Sequence, residues 1–242
     1  MHTGLITLIT FSCSVLAITD VSALELEVEM VITETRRVYP RPDSRQPGRH
    51  ANTTGGHVTG GRTCHGDIAQ LRPTGEAGRG VAGSQADVIT DLPELKKRWA
   101  FYQTVADLNC VQASLIAALA SRESRGGALL YKTNGYGDNG RAYGILQCDL
   151  QHSGLDCLAC VWYSQCHIQM MVSQLLVPYI QQVQRKFPTW TSSQGLQGGV
   201  AAYNEGVANV RSWAGLDRGT THNDYSNDVI ARAQYLYRLG WN

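Results

Sequence analysis

The most constraining feature of this sequence is an almost wholly apolar stretch from Val111 to Ala120, which reads VQASLIAALA. A helix that is apolar on every side has to be surrounded by other elements, because none of its faces suits water. The sequence therefore predicts a buried central helix with other helices packed around it. A hydrophobic content of 43% is sufficient for such a core.

Helical periodicity recurs on both sides of this stretch. One apolar helix face is formed by Leu95, Trp99, Tyr102, Val105 and Ala106. This face predicts a helix with Pro93 near its start, where a missing N–H is tolerated. A second helix is expected over His167 to Lys186, with a kink at Pro178. A last helix is expected from about Asn223 to Leu239.

Two glycine-rich stretches interrupt the helical pattern. The stretch from Pro73 to Gly83 predicts a loop. The segment from Tyr131 to Asp149 combines Gly, Asn and Asp with short apolar pieces, and it predicts tight turns and a small antiparallel sheet. The expected fold class is therefore α+β and mainly helical, with this sheet inserted after the buried central helix.

The first 61 residues are expected to lie outside that domain. An apolar run from Leu5 to Ile18 ends near Ser22-Ala23, which predicts a signal peptide over residues 1–23 and hence a secreted, extracellular protein. No later stretch reaches the ~20 apolar residues of a membrane-spanning helix. Residues 24–61 lack an apolar period and are expected to form a disordered leader. They carry one candidate glycosylation site, Asn52.

Six cysteines follow the signal segment, and an even number in an exported chain predicts up to three disulfides. They are Cys64, Cys110, Cys148, Cys157, Cys160 and Cys166. Four of them cluster late in the chain, and four cysteines allow three pairings. A zinc site at Cys157, Cys160, Cys166 and His167 is the alternative, but an oxidising compartment favours disulfides, so we expect no metal. A formal net charge of +1 argues against a nucleic-acid binder.

Glu123 is the first candidate for chemistry, because it lies one turn beyond the apolar stretch. A carboxyl at the edge of a core is partly desolvated, which raises its pKa and lets it donate a proton near neutrality. The alternative from local sequence is a surface glutamate paired with Arg122 or Arg125.

Asp138 and Asp149 are the second candidates, since both lie in the predicted turn-and-strand insert. Glycoside hydrolysis usually needs one carboxyl as acid and another acidic group across the scissile bond. A glutamate at a helix end, facing an insert with two aspartates, could provide that pair. The alternative is that Asp138 merely forms a turn.

These residues belong to several separated motifs, and together the motifs resemble the goose-type lysozymes. The resemblance covers about Cys64 to the C-terminus, and agreement at several places is more specific than one short motif. The matching segments are Ser121-Arg122-Glu123-Ser124, Gly135-Tyr136-Gly137-Asp138, Gly144-Ile145-Leu146-Gln147 with Asp149, Gly198 to Asn204, Asn209 to Ser212, and Gly219 to Tyr235.

The resemblance implies a lysozyme-like catalytic domain over residues 62–242. It implies hydrolysis of the β-1,4 bond between N-acetylmuramic acid and N-acetylglucosamine in bacterial peptidoglycan, with inversion, by a monomer without a cofactor. Glu123 matches the proton donor, and Asp138 and Asp149 match the residues that position or activate water. Five further residues are expected in the sugar cleft: Gln147, His152, Tyr203, Asn204 and Tyr225. His152 lies one residue closer to Asp149 than the family spacing.

The cysteines depart from the family pattern. Goose-type lysozymes with this motif pattern have two disulfides, and Cys64 with Cys110 matches one of them, whereas the other has no counterpart here. Two alternatives of function stay open. A lytic transglycosylase cleaves the same bond through internal attack, and a non-catalytic protein could bind peptidoglycan without cleaving it. The three acidic residues favour hydrolysis over both.

Without the family resemblance, Tyr203 and Tyr225 are typical of half-buried core aromatics, and Asn204 is typical of a helix end.

Overall fold

A computed structural model describes residues 64–242 of the chain. The predicted signal peptide (1–23), the predicted leader (24–61) and Asn52 lie outside these residues. The described residues form seven α-helices and three short strands. The helices are α1 (Gly80–Lys96), α2 (Trp99–Asn109), α3 (Ala113–Ser124), α4 (Gln165–Met171), α5 (Val177–Lys186), α6 (Ser192–Glu205) and α7 (Tyr225–Arg238). The strands are β1 (Tyr136–Gly137), β2 (Ala142–Tyr143) and β3 (Cys148–Asp149).

Helix α3 is the predicted central helix, and every residue from Ala113 to Ser121 is buried. It packs against α1, α2 and α7. Burying a side chain such as Leu115, Ile116 or Leu119 contributes about 1.5–3 kcal/mol, so this helix supplies much of the core. It ends where Arg125 adopts a left-handed conformation at φ +55°. The core therefore fixes the position of the carboxyl that α3 carries near its end.

The three short strands form an antiparallel sheet in the order β1-β2-β3, directly after α3 in the chain. Gly137 of β1 lies opposite Ala142 of β2, and Ala142 lies opposite Asp149 of β3. The predicted fold class, a mainly helical α+β domain with a small sheet inserted after the buried helix, is confirmed.

Two local predictions on the N-terminal side differ from the structure in their bounds. Pro93 lies in the last turn of α1, well after that helix begins, and a separate helix starts at Trp99. The predicted loop, Pro73 to Gly83, ends at Arg79, and its last residue lies inside α1. A side chain in place of Gly83 would collide with the Arg79 side chain and with Glu76. That pair forms an ion pair of 2.9 Å and needs the space.

The six cysteines form three disulfides, Cys64–Cys110, Cys148–Cys157 and Cys160–Cys166. The zinc alternative is therefore wrong, because its three thiols are used in disulfides. Within residues 64–242 no group of three or more His, Cys, Asp or Glu residues could hold a metal ion. In the same part of the chain, no helix has the length and apolar character to cross a bilayer.

Candidate active site

Glu123 is the second-last residue of α3, and its half-buried side chain opens on one side into a cleft. Burial disfavours the carboxylate and raises its pKa to about 7, although the Tyr225 hydroxyl and the positive charge of Arg122 act in the opposite direction. The Tyr225 hydroxyl donates a hydrogen bond to Glu123 Oε1. A carboxyl with such a pKa is protonated in a large share of molecules near neutral pH.

The neighbouring arginines do not pair with Glu123. Arg122 forms ion pairs with Asp224 at 2.9 Å and with Asp228 at 2.6 Å. Arg125 forms an ion pair with Asp91 at 3.0 Å. Glu123 has no ion pair to any described residue, so the alternative of a surface glutamate paired with Arg122 or Arg125 is wrong.

The arginine pairs belong to a buried network that holds the end of α3 against α1 and α7. Arg232 donates to Asp228 at 3.0 Å and to the Ser121 hydroxyl at 2.9 Å, and that hydroxyl donates to Asp91 at 2.7 Å. Burial alone would raise the pKa of Asp228, but the charge of Arg232 and its hydrogen bond lower it below the ordinary value. Buried charges persist when they are paired in this way. The network fixes the helix end that carries Glu123.

The cleft beside Glu123 has a volume of about 540 Å³ and brings together residues from α3, the sheet, α6 and the segment before α7. Seven of its lining residues were predicted from sequence: Glu123, Asp138, Gln147, Asp149, His152, Tyr203 and Asn204. Four were not: Arg141, Ala142, Gln151 and Thr221. Thr221 falls inside one of the matching motifs, which is the signal that could have identified it.

Asp149 lies on β3 at the far side of the cleft, with its side chain half exposed. Its Oδ1 accepts hydrogen bonds from the backbone N–H groups of Gln151 (2.8 Å) and His152 (3.0 Å), and its Oδ2 lies 3.1 Å from His152 Nδ1. Slight burial would raise the pKa of Asp149, but these hydrogen bonds outweigh it and hold the pKa below its usual range. Asp149 is therefore an oriented, ionised carboxylate at neutral pH.

Asp138 follows β1 directly, in a left-handed conformation at φ +43°, and its side chain is exposed. The register places Gly137 and Asp149 on the two outer strands, on either side of Ala142. Asp138 pairs with Arg141, whose Nε lies 3.3 Å from its Oδ2. The residue thus both forms a turn and lines the cleft.

Side chains from α6 connect the cleft to the turn before β3. The Tyr203 hydroxyl donates to the Leu146 carbonyl at 2.6 Å. The Asn204 side-chain oxygen accepts from the Thr221 backbone N–H at 2.8 Å. Gln147 adopts φ +48°, and its side-chain amide donates to the Gly144 carbonyl at 2.7 Å. These contacts fix three of the predicted cleft residues in place.

Tyr225 was expected in the sugar cleft, but its side chain lies in the core next to Glu123. Its side chain is buried, 2% exposed, and its hydroxyl contacts the Glu123 carboxyl, but it does not line the cleft. Helix α7 begins at Tyr225, and the Arg122 guanidinium lies 5.5 Å above its ring. Its hydrogen bond lowers the pKa of the Glu123 carboxyl and so opposes the effect of burial.

Comparison with known proteins identifies the family of this chain. A family model described as "Lysozyme g" matches residues 59–240. The chain belongs to the lysozyme g family. Its relatives include a "Glycine, glutamate and proline-rich protein" of Lottia gigantea, 49% identical over 74% of this chain. "Lysozyme g" of Gallus gallus is 37% identical over 77% of this chain, and "Lysozyme g" of Struthio camelus is 38% identical over 74%.

The matches cover different shares of the relatives. The alignment spans 46% of the Lottia gigantea protein, which is less than half its length, but 90% of the Gallus gallus protein and 89% of the Struthio camelus protein. Membership of the lysozyme g family confirms the resemblance to goose-type lysozymes and the assignment to glycoside hydrolases of that type.

Proposed function

We propose that this chain is a peptidoglycan hydrolase that cleaves the β-1,4 bond between N-acetylmuramic acid and N-acetylglucosamine with inversion. One observation carries the proposal: a half-buried carboxyl with a pKa of about 7 and an ionised carboxylate with a lowered pKa line the same cleft. Pairs of carboxyls whose surroundings separate their pKa values are typical of acid and base in glycoside hydrolysis.

Glu123 acts as the general acid. Its carboxyl stays largely protonated up to about pH 7. It transfers that proton to the glycosidic oxygen as the bond between this oxygen and the anomeric carbon breaks. The Tyr225 hydroxyl then stabilises the carboxylate that is left behind. The core packing of α3 and the arginine network keep the carboxyl aimed into the cleft, so little reorganisation accompanies the transfer.

Asp149 acts as the main general base on the other face of the sugar. It accepts a proton from a water molecule, and the water oxygen forms the new bond to the anomeric carbon. Inversion requires a separation of roughly 6.5–9.5 Å between acid and base, because the water has to fit between them. Asp138, paired with Arg141, assists by orienting that water. The steps use proton transfers between side chains, water and sugar only.

Gln147, His152, Tyr203 and Asn204 hold the sugar chain in register. All four line the cleft, and amide, imidazole and hydroxyl groups suit the hydroxyl and acetamido groups of the glycan. We further propose that the protein acts outside the cell, after removal of residues 1–23. Three disulfides support an oxidising compartment, because reducing compartments keep thiols free.

Lysis of a bacterial wall suspension, followed by analysis of the ends produced, tests this function. Hydrolysis yields reducing N-acetylmuramic acid ends with inverted configuration in the first product. Anhydro-muramic ends would instead establish a lytic transglycosylase, and binding without any new ends would establish a non-catalytic peptidoglycan-binding protein.

A further inference from the structure

His167 is a fully buried histidine that the proposed mechanism does not use. It lies in α4, next to the Cys160–Cys166 disulfide, and its side chain is 0% exposed. Its Nε2 accepts a hydrogen bond from the Leu146 backbone N–H at 3.4 Å, while its Nδ1 is buried without a partner among the described residues. A side chain at Gly144 would collide with the ring, so the turn lies directly against the imidazole.

The Leu146 peptide is a junction between the two halves of the cleft. Its N–H is bound by His167, and its carbonyl accepts from Tyr203. The preceding carbonyl, that of Ile145, accepts from the hydroxyl of Ser124, which directly follows Glu123. Two residues after Leu146 begins the strand that carries Asp149. A displacement of this peptide would therefore change the spacing between the general acid and the general base.

We propose that His167, in its uncharged form, is a positioning residue for this cleft: it holds the Leu146 peptide through Nε2, and protonation of its ring releases that peptide and lowers turnover. The inference rests on the proposed hydrolytic function. An imidazole nitrogen accepts a hydrogen bond only while it carries no proton, and both ring nitrogens become donors in the imidazolium.

The surroundings of the ring favour the uncharged form. Tyr143 of β2 faces it edge-on at 6.2 Å between ring centroids, and the backbone of the turn covers another side. Helix α4 carries no charged residue, and Asp107 of the neighbouring α2 is exposed. Within residues 64–242 no carboxylate lies within ion-pair distance of the imidazole, and burial lowers the pKa of His167 to about 4.

The sign of the resulting pH dependence follows from linkage. The unfolded chain takes up the proton near pH 6.5, whereas the folded chain takes it up near pH 4. His167 therefore leaves the free energy of unfolding unchanged above about pH 6.5, lowers it as the pH drops towards 4, and causes no further loss below that. The equilibrium constant for folding should fall by roughly 300-fold across this window from His167 alone.

Two variants separate positioning from mere packing. His167→Gln places a non-titrating carbonyl oxygen near the position of Nε2, whereas His167→Leu removes the acceptor and leaves a buried N–H unpaired. We expect His167→Leu to lower kcat on wall substrate at pH 7 by roughly tenfold or more with little change in KM. His167→Gln should restore kcat to within about threefold. His65→Gln, at a partly buried histidine outside the cleft, is the matched control and should match the wild type.

The pH profile provides the second readout. In the wild type and in His65→Gln, the acid limb of kcat should follow the His167 ring titration measured by NMR, with the fold monitored by circular dichroism. In His167→Gln the limb should move to lower pH, where Asp149 sets it. Equal kcat in His167→Leu and the wild type, or an unmoved acid limb in His167→Gln, would overturn the proposal.

If both variants fail to fold, the wild type still decides the question. A kinetic acid limb that coincides with the His167 titration supports positioning, and a limb displaced from that titration by more than about one pH unit contradicts it. Absence of any turnover in the wild-type protein would refute the proposed hydrolytic function itself. That outcome is distinct from failure of the His167 proposal, which is measured as a difference between variants and an active wild type.

Discussion

Replacing Tyr225 by Phe directly tests the electrostatics of Glu123, the proposed general acid. The substitution removes only the hydroxyl that donates to Glu123 Oε1 and keeps the buried ring that begins α7. That hydrogen bond favours the charged carboxylate, so it opposes the effect of burial on the pKa of Glu123. Its loss should therefore raise the pKa and keep the acid protonated to higher pH.

The size of the expected rise in the pKa of Glu123 follows from the free energy of such a hydrogen bond. A hydrogen bond to a charged group contributes about 1.5–3 kcal/mol, and one pKa unit corresponds to about 1.36 kcal/mol. The pKa of Glu123, about 7 in the wild type, should therefore rise to roughly 8–9 in Tyr225→Phe. The optimum should broaden towards alkaline pH, because Asp149 and the acid limb are untouched.

The alkaline limb of kcat/KM on wall substrate is the measurement, since it reports the acid of the free enzyme. Tyr235→Phe is the matched control, because Tyr235 lies on the same helix, is half-buried and stacks on Arg238 instead of Glu123. An alkaline limb in Tyr225→Phe that stays in place or moves to lower pH would refute either the identity of the acid or the role of the hydroxyl.

Three further predictions concern the acid, the base and the cross-link beside the base. Glu123→Gln should lower kcat by roughly 100- to 10,000-fold with wall binding kept in a sedimentation assay; retained turnover would remove the acid assignment. Asp149→Asn should cost more kcat than Asp138→Asn, and the reverse order in the same assay would exchange their roles. Replacing Cys148 and Cys157 together by Ala should lower the free energy of unfolding in urea by about 2.5 kcal/mol and lower kcat while the alkaline limb stays in place.

The helical core could be predicted from sequence because its signal is local. The segment from Val111 to Ala120 has no polar face, and a helix of that kind has one stable environment. Pro178 shows the limit of such reasoning. A kink was expected there, and a π-helical turn over Val172–Leu176 lies immediately before the helix in which Pro178 is the second residue. Proline and π turns both interrupt the regular hydrogen-bond ladder, but only the proline can be read directly from the sequence.

The cleft could be predicted only as far as the resemblance reached. The resemblance implies a place for Tyr225 in the sugar cleft, but it does not say whether the side chain lines the cleft or packs in the core against Glu123, since that depends on the rotation of α7 against α3. The pairing of Cys148 with Cys157 likewise needs distances in space. Arg141 gave no signal of its own, because an arginine in a glycine-rich turn is usually a solvated side chain.

The two sides of the cleft are stabilised by different means, and the extra cysteines lie where they are needed. Glu123 is fixed by a buried helix, but the strands of the sheet have two residues each, too few to be stable alone. The side of the cleft that carries Asp149 therefore depends on contacts from outside the sheet. These are the Cys148–Cys157 disulfide, the hydrogen bond from the Tyr203 hydroxyl to the Leu146 carbonyl, and the hydrogen bond from the Leu146 N–H to His167. The proposed inverting mechanism needs a constant gap between Glu123 and Asp149, so loosening these contacts should reduce turnover before it unfolds the core.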